Sequence, residues 1–189
     1  NVKSEAETDA EFESHCTAAM DEAAAVVDRL TDAGHEVPEV KVGGTATSLY
    51  SGRHPVVDEI NPGMFVFMDV GELSLRPWAV SAADCAATVR STVISAPATG
   101  RAVADAGSKS LGMDKPERPV PRREGVSYVA ASEEHGWLET EGEELAVGDR
   151  LDLIVPHVCT TINLHDTIVG VRDGRVETTW NVQARGKVK

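Results

Sequence analysis

Beyond Cys85 the chain is written almost entirely in short strands. Seven stretches, "ATVRSTVISA", "RAVADAG", "GVSYVAAS", "HGWLET", "DRLDLIVP", "DTIVGVR" and "RVETTWNV", carry the Val, Ile, Thr and Trp that suit a pleated, half-buried surface. Gly, Pro or Asp turns separate them, and Asp173-Gly174 is the dipeptide of a tight hairpin. Such strands satisfy their backbones by antiparallel pairing, so this part reads as a β domain large enough to fold alone. Within it, Gly112 to Gly125, "GMDKPERPVPRREG", is expected to be a mobile, charged, proline-rich loop. No internal repeat is visible.

The N-terminal third has a different texture. Over Asp9 to Ala33 the apolar residues Phe12, Cys16, Met20, Ala24, Val27 and Leu30 recur at intervals of three and four, which marks one face of a helix. Gly34 is placed to cap it and Pro38 prevents continuation. A short strand, "EVKV", then runs into "GGTAT" at Gly43 to Thr47. Helix, strand and glycine turn are the rhythm of an α/β barrel or a doubly wound sheet. Two such units neither close a barrel nor bury both faces of a parallel sheet. This third therefore reads as the end of something larger. The start at Asn1, without a methionine, fits a processed terminus or a chain cut from a longer one.

Charge narrows the partners. Asp plus Glu outnumber Lys plus Arg 31 to 18, a net charge of -13, with an isoelectric point near 4.8. An acidic surface repels nucleic acid, which is bound by neutralising phosphates with basic side chains. Lysine supplies only six of the eighteen basic residues, a bias resembling that of proteins from salt-loving organisms. No apolar run is long enough to span a bilayer and the N-terminus is polar, so neither anchor nor signal peptide is expected and a cytoplasmic protein is the default. Cys16, Cys85 and Cys159 form no CxxC and imply no disulfide framework. Cys16 and Cys85, among alanines, read as small buried hydrophobes.

Two patterns carry chemistry. In "VPHVCTTINLHD", His157 and Cys159 stand two apart just after the apolar run "LDLIV". On an extended strand, residues i and i+2 share a face, so both side chains would reach one ion. Imidazole and thiolate are ligands that zinc favours, and a two-ligand site leaves positions open for water or substrate. The plainer reading is a strand end. Gly43-Gly44-Thr45 follows a strand, and bare backbone N–H groups in such a turn cradle a phosphate, with Thr45 or Thr47 adding a hydroxyl; an ordinary turn is the alternative. His165 and Asp166 read as supporting partners or as the start of the next strand, and Ser132 to Gly136, "SEEHG", as a polar turn or as the donor of a ligand or base. "DAGSK" at Asp105 to Lys109 reads as a turn. His15, His35 and His54 are expected in solvent.

Taken in order, "KVGGTATSL", "NPGMFVFMD", "RAVADAGSKSLGMD", "ASEEHGWLE", "GDRLDLIVPHVCTTINLHD" and "VRDGRVETTWNVQARG" resemble the C-terminal half of the metal-activated, pyridoxal-phosphate-dependent family of D-threonine aldolases and D-serine dehydratases. The resemblance covers residues about 20 to 186. It implies an α+β fold: the terminal segments of an alanine-racemase-like (β/α)8 barrel over residues 1–75, then an antiparallel β domain carrying the metal site over 76–189. It also implies a head-to-tail dimer, or a partner chain that supplies the N-terminal barrel half. By the same resemblance Gly43, Gly44 and Thr45 hold the phosphate of pyridoxal phosphate. His157 and Cys159 hold a divalent metal, zinc being expected from the thiolate and manganese being the other candidate.

The implied function is part of a lyase acting on small D-3-hydroxy amino acids. The cofactor is an electron sink at Cα and the metal polarises the β-hydroxyl as a Lewis acid, so that either dehydration or Cα–Cβ cleavage follows. One departure is serious. The family's Schiff-base lysine belongs to the N-terminal half, and none of Lys3, Lys41, Lys109, Lys115, Lys187 or Lys189 matches it. No catalytic residue is therefore assigned in this chain, and no turnover is expected from it alone. Phe65 stands where relatives often carry tyrosine, so a hydroxyl is lost there. The alternative reading is a non-catalytic split subunit or remnant, serving as a metal-binding or dimerisation module.

Overall fold

The computed structural model describes residues 6–142 and 144–187. They divide into two compact units, one comprising residues up to Val66 with Glu72–Ser81, the other Phe67–Gly71 with Ala82 onward.

The first unit is led by helix α1 (Asp9–Asp32). Thr8 caps its N-terminus by accepting the Glu11 N–H. At the other end Gly34 takes φ +85°, and the N–H groups of Gly34 and His35 close back on the carbonyls of Thr31 and Leu30. That double closure is a Schellman motif, which is why a glycine stands there. Only the first part of the expected apolar face is buried. Phe12 and Cys16 pack with Ala46 against Tyr50, Leu75 and Trp78, with Phe12 meeting the Tyr50 and Trp78 rings edge-on at 5.4 and 6.2 Å. Leu30, expected on the same buried face, is 41% exposed. Strands β1 (Lys41–Gly43) and β2 (Glu59–Asn61) pair in parallel, with helix α2 (Ser48–Ser51) between them. Helix α3 (Val70–Leu75) follows, and Arg76 pairs with Glu72 at 3.2 Å, both buried.

The second unit is built on antiparallel strands. Strands β3 (Thr88–Ala98), β4 (Arg101–Ala104), β5 (Val120–Pro121), β6 (Val126–Ala131), β7 (Gly136–Thr140) and β8 (Arg150–Ile154) form one antiparallel sheet in the order β5-β8-β3-β4-β7-β6. Its edge strands β5 and β6 are joined only by Arg122–Gly125, so the sheet curls until its edges approach. Inward positions alternate with outward ones as the strand period requires: in β7, Leu138 is buried and Trp137 is exposed. The interior is filled by Val93, Ala102, Ala104, Tyr128, Leu138, Leu151 and Leu153. Helix α4 (Val158–Leu164) follows β8. A separate hairpin, β9 (Thr167–Arg172) with β10 (Arg175–Asn181), turns at Asp173-Gly174, where both residues have positive φ, the type I′ geometry that this dipeptide favours.

The loop expected to be mobile is instead pinned along its length. β5 lies inside it. The Arg122 guanidinium donates to the Cys85 carbonyl, Arg123 pairs with Asp149 at 3.1 Å, and Gly112 N–H donates to the Thr161 hydroxyl at 2.9 Å. Proline content suggested freedom, but these residues spend their charges on the sheet. Cys16 and Cys85 are buried as expected. No helix among the described residues is long and apolar enough to cross a membrane.

Tyr128 offers a test of the domain interior. Its hydroxyl donates to the Ala106 carbonyl at 2.7 Å, the residue is 4% exposed, and burial pushes its phenol up to about 12. An exposed phenol titrates near about 10. The stability tied to this raised value is complete below about pH 10 and is lost as pH rises through about 12. In urea unfolding, Tyr128→Phe should lose about 1–3 kcal/mol at neutral pH and should show a shallower fall in stability between those two pH values than the unsubstituted chain. Parallel pH curves would contradict the assignment.

Candidate functional site

The strand expected to present His157 and Cys159 on one face ends earlier, at Ile154. Val155 and Pro156 are buried, His157 is an extended N-cap with φ -141° and ψ 111°, and helix α4 begins at Val158. Cys159 is thus the second helical residue, and strand periodicity does not relate the two side chains. The segment "VCTTINL" is rich in β-branched residues, which is why it reads as a strand. Capping overrides that preference. The Asp69 carboxylate, fully buried, accepts the Val158 N–H at 2.9 Å, and the Thr161 hydroxyl donates to the His157 carbonyl at 2.8 Å.

Asp69 reaches this position through a local twist of its own. Met68 adopts φ +52°, a left-handed conformation uncommon for a side chain of this kind. Beyond it the chain runs beside the β8–α4 connection, with Val70 N–H donating to Val155 O at 3.0 Å and Gly71 N–H to Pro156 O at 3.3 Å.

The His157 ring is half-buried. Its Nδ1 lies 2.7 Å from an Asp114 carboxylate oxygen, and the other oxygen of Asp114 accepts the Thr160 hydroxyl at 2.6 Å. Burial pushes the Asp114 carboxyl up, but the hydrogen bonds from Thr160 and His157 outweigh it and hold the group below its ordinary range. Gly112, two residues before Asp114, abuts α4 so closely that a Cβ there would lie 2.9 Å from Thr161 N. Cys159 is an exposed free thiol. Local desolvation first, and then the negative charge of Asp69, hold it above the usual thiol range, against the opposing ammonium of Lys115. Among the described residues no group of three or more His, Cys, Asp or Glu side chains is placed to hold a metal. Among the described residues, His157 and Cys159 are the two donors of the sequence motif that the first turn of α4 carries.

The glycine turn belongs to the first unit. Gly44 has φ +102°, and a Cβ there would meet the Thr47 hydroxyl at 3.0 Å, so the position requires glycine. Thr45 is buried and its hydroxyl accepts the Met64 N–H at 2.8 Å. Thr47 bonds back to the carbonyls of Gly43 and Gly44. The Thr47 hydroxyl is thus spent on the turn's own carbonyls, while the Thr45 hydroxyl accepts from Met64 and keeps its own proton to donate.

The other candidates make local contacts. His165 Nε2 meets the Ser110 carbonyl at 2.9 Å, and Asp166 pairs with Arg185. In "SEEHG", Ser132 N–H closes on His135 O and Glu134 pairs with Lys109 at 2.8 Å, so it is a polar turn. Asp105 of "DAGSK" anchors β3 by accepting the Ser91 hydroxyl and the Thr92 N–H. His54, expected in solvent, accepts the Val56 N–H at 3.2 Å and lies 3.1 Å from Asp21. Lys41 pairs with Glu59 at 2.8 Å, while Lys3 and Lys189 lie outside the described residues. Asp69, Asp114 and Thr160 were not singled out by sequence, since each acts on residues more than forty positions away or on a helix that reads as strand. Removing the cap with Asp69→Ala should cost about 1–3 kcal/mol and should speed hydrogen exchange at the Val158 amide. Unchanged exchange there would show that α4 does not depend on it.

A family profile described as "Putative serine dehydratase domain" matches residues 86–171. The structure is similar to the D-threonine aldolase of Filomicrobium marinum, 34% identical, with a TM-score of 0.81, covering 95% of this chain and 50% of that one. It is also similar to the D-threo-3-hydroxyaspartate dehydratase of a Delftia species, 27% identical, with a TM-score of 0.70, covering 90% of this chain and 49% of that one. Structures of that dehydratase include a histidine-to-alanine mutant and a mutant with the cysteine two positions further on replaced by alanine, the latter in the metal-free form. An alanine-racemase-like protein of Idiomarina loihiensis, 20% identical, shares the fold with a TM-score of 0.75, covering 89% of this chain and 51% of that one. The chain spans about half the length of these solved relatives.

Proposed function

Because the chain belongs to the D-threonine aldolase and D-serine dehydratase family and corresponds to the C-terminal half of its members, we propose that it is the metal-bearing half of a pyridoxal-phosphate- and metal-dependent lyase acting on D-3-hydroxy amino acids. Relatives with a described activity include lyases of two kinds, aldolases and dehydratases, and the proposal stays at the level they share.

One observation carries the reading. An exposed cysteine stands two residues after a histidine at the N-terminus of α4, the same residue types at the same spacing as those replaced in the dehydratase relative, whose cysteine mutant is in the metal-free form. Imidazole and thiolate suit zinc, or another divalent ion such as manganese less well. With Nδ1 of His157 turned to Asp114, Nε2 is the nitrogen left for an ion, and Cys159 Sγ is the second donor. Two protein ligands leave room for a substrate hydroxyl.

When bound, pyridoxal phosphate supplies an electron sink at Cα and the metal a Lewis acid at the β-hydroxyl. The chain's own part is narrower. The turn at Gly43, Gly44 and Thr45 presents backbone to the phosphate, held in that shape by the positive φ of Gly44 and by the Thr45–Met64 bond. Phe65 contributes no hydroxyl. The lysine that links the cofactor is assigned to an N-terminal barrel half, on a longer chain or a partner, and the assembly is taken to be a dimer. The isolated chain is accordingly expected to bind metal without turnover. Lyase activity from it alone would contradict this division of labour.

The metal assignment is testable without the other half. The purified chain should bind about one zinc ion, and His157→Ala or Cys159→Ala should each lower affinity by about tenfold or more while the β domain keeps its unfolding midpoint. Metal content unchanged in both variants would leave α4 an ordinary helix and favour a non-catalytic remnant.

A further inference from the structure

The contact between His157 and Asp114 does more than fill space, and it is the feature of this site that the sequence motifs do not assign. We propose that Asp114 is a positioning residue that fixes the tautomer and orientation of His157, so that Nε2 and not Nδ1 faces the metal. This inference rests on the metal reading above.

Three observations build it. Asp114 Oδ2 stands 2.7 Å from His157 Nδ1, the distance of a charge-assisted hydrogen bond. A carboxylate only accepts, so the proton of the bond belongs to Nδ1 and the lone pair of the neutral ring to Nε2. Second, Asp114 is itself held. Its Oδ1 accepts the Thr160 hydroxyl at 2.6 Å, and Thr160 lies on the same helix that His157 caps. A carboxylate that bridges the N-cap and the third residue of α4 ties the ring to the helix frame that also carries Cys159. Third, the segment bearing Asp114 is fixed against α4 by Gly112, whose N–H donates to Thr161 at 2.9 Å and whose lack of a side chain permits the approach. Loop, carboxylate and helix therefore form a closed circuit around His157. A histidine ligand whose second nitrogen donates to a fixed carboxylate is both oriented and more basic.

The test uses the 189-residue chain with nitrogen-15-labelled histidine, metal-free and at about pH 8.5, above the ordinary histidine range. His157 is assigned by comparison with His157→Gln. The unsubstituted chain should show His157 with a protonated Nδ1 and a bare Nε2. Asp114→Ala should shift the ring toward the Nε2–H tautomer and lower zinc affinity about 10–100-fold, in a chain that remains folded. Thr160→Val, which frees the carboxylate without removing it, should move both readouts in the same direction by less. An Nε2–H tautomer in the unsubstituted chain, or an Asp114→Ala variant with unchanged tautomer, would overturn the proposal. So would unchanged zinc affinity in Asp114→Ala. If His157→Gln itself leaves zinc affinity intact, it is the metal reading that fails, and the tautomer result still reports on Asp114 separately.

Discussion

The buried Asp69 carboxylate on the Val158 N–H is the interaction on which the C-terminal unit's site depends. A helix begins with orphan N–H groups that need an acceptor, and the residue at this N-cap, His157, supplies none from its side chain. Asp69 supplies it from a segment nearly ninety residues away in sequence. Its charge also favours the positive end of the helix. Without that acceptor, "VCTTINL" has the composition of a strand. With it, the chain leaves β8, turns at Pro156 and starts a helix, and His157 and Cys159 fall at its first turn.

This explains which parts of the molecule can be read from the sequence. Most β strands are legible because they are short β-branched runs set off by turn residues, but β5, inside the proline-rich stretch, is not, and the pairing of β3 with β8 and of β4 with β7 joins strands that no local signal relates. Helix α1 and its glycine cap are legible because a 3.6-residue period and a Schellman stop are local signals. The site is less so. His157 and Cys159 are visible as residue types, but the strand that seemed to unite them is absent, because the acceptor that starts α4 is remote. Asp114 sits inside the proline-rich stretch, and nothing local relates it to a histidine forty-three positions later. The proline-rich loop misleads for the same reason: its anchors are distant carbonyls and carboxylates.

The apolar surface of the first unit has a reading in the proposal. Val26 and Leu30 on α1, with Leu49, Ile60 and Phe65, are large hydrophobic residues left exposed there, and β1 and β2 form a parallel pair with no further strand among the described residues. Parallel strands are ordinarily covered on both faces by helices. A unit of this kind is understandable as a segment of a barrel whose remaining strands and cofactor lysine are supplied elsewhere.

The measurement that bears most directly on this account is borohydride reduction of the protein from its natural source in the presence of pyridoxal phosphate, followed by peptide mass mapping. A pyridoxyl-lysine on a peptide outside these 189 residues, covalently continuous with them or co-purifying with them, is the predicted result. A pyridoxyl group on one of the chain's own six lysines, or no adduct on material shown to be folded, would contradict it.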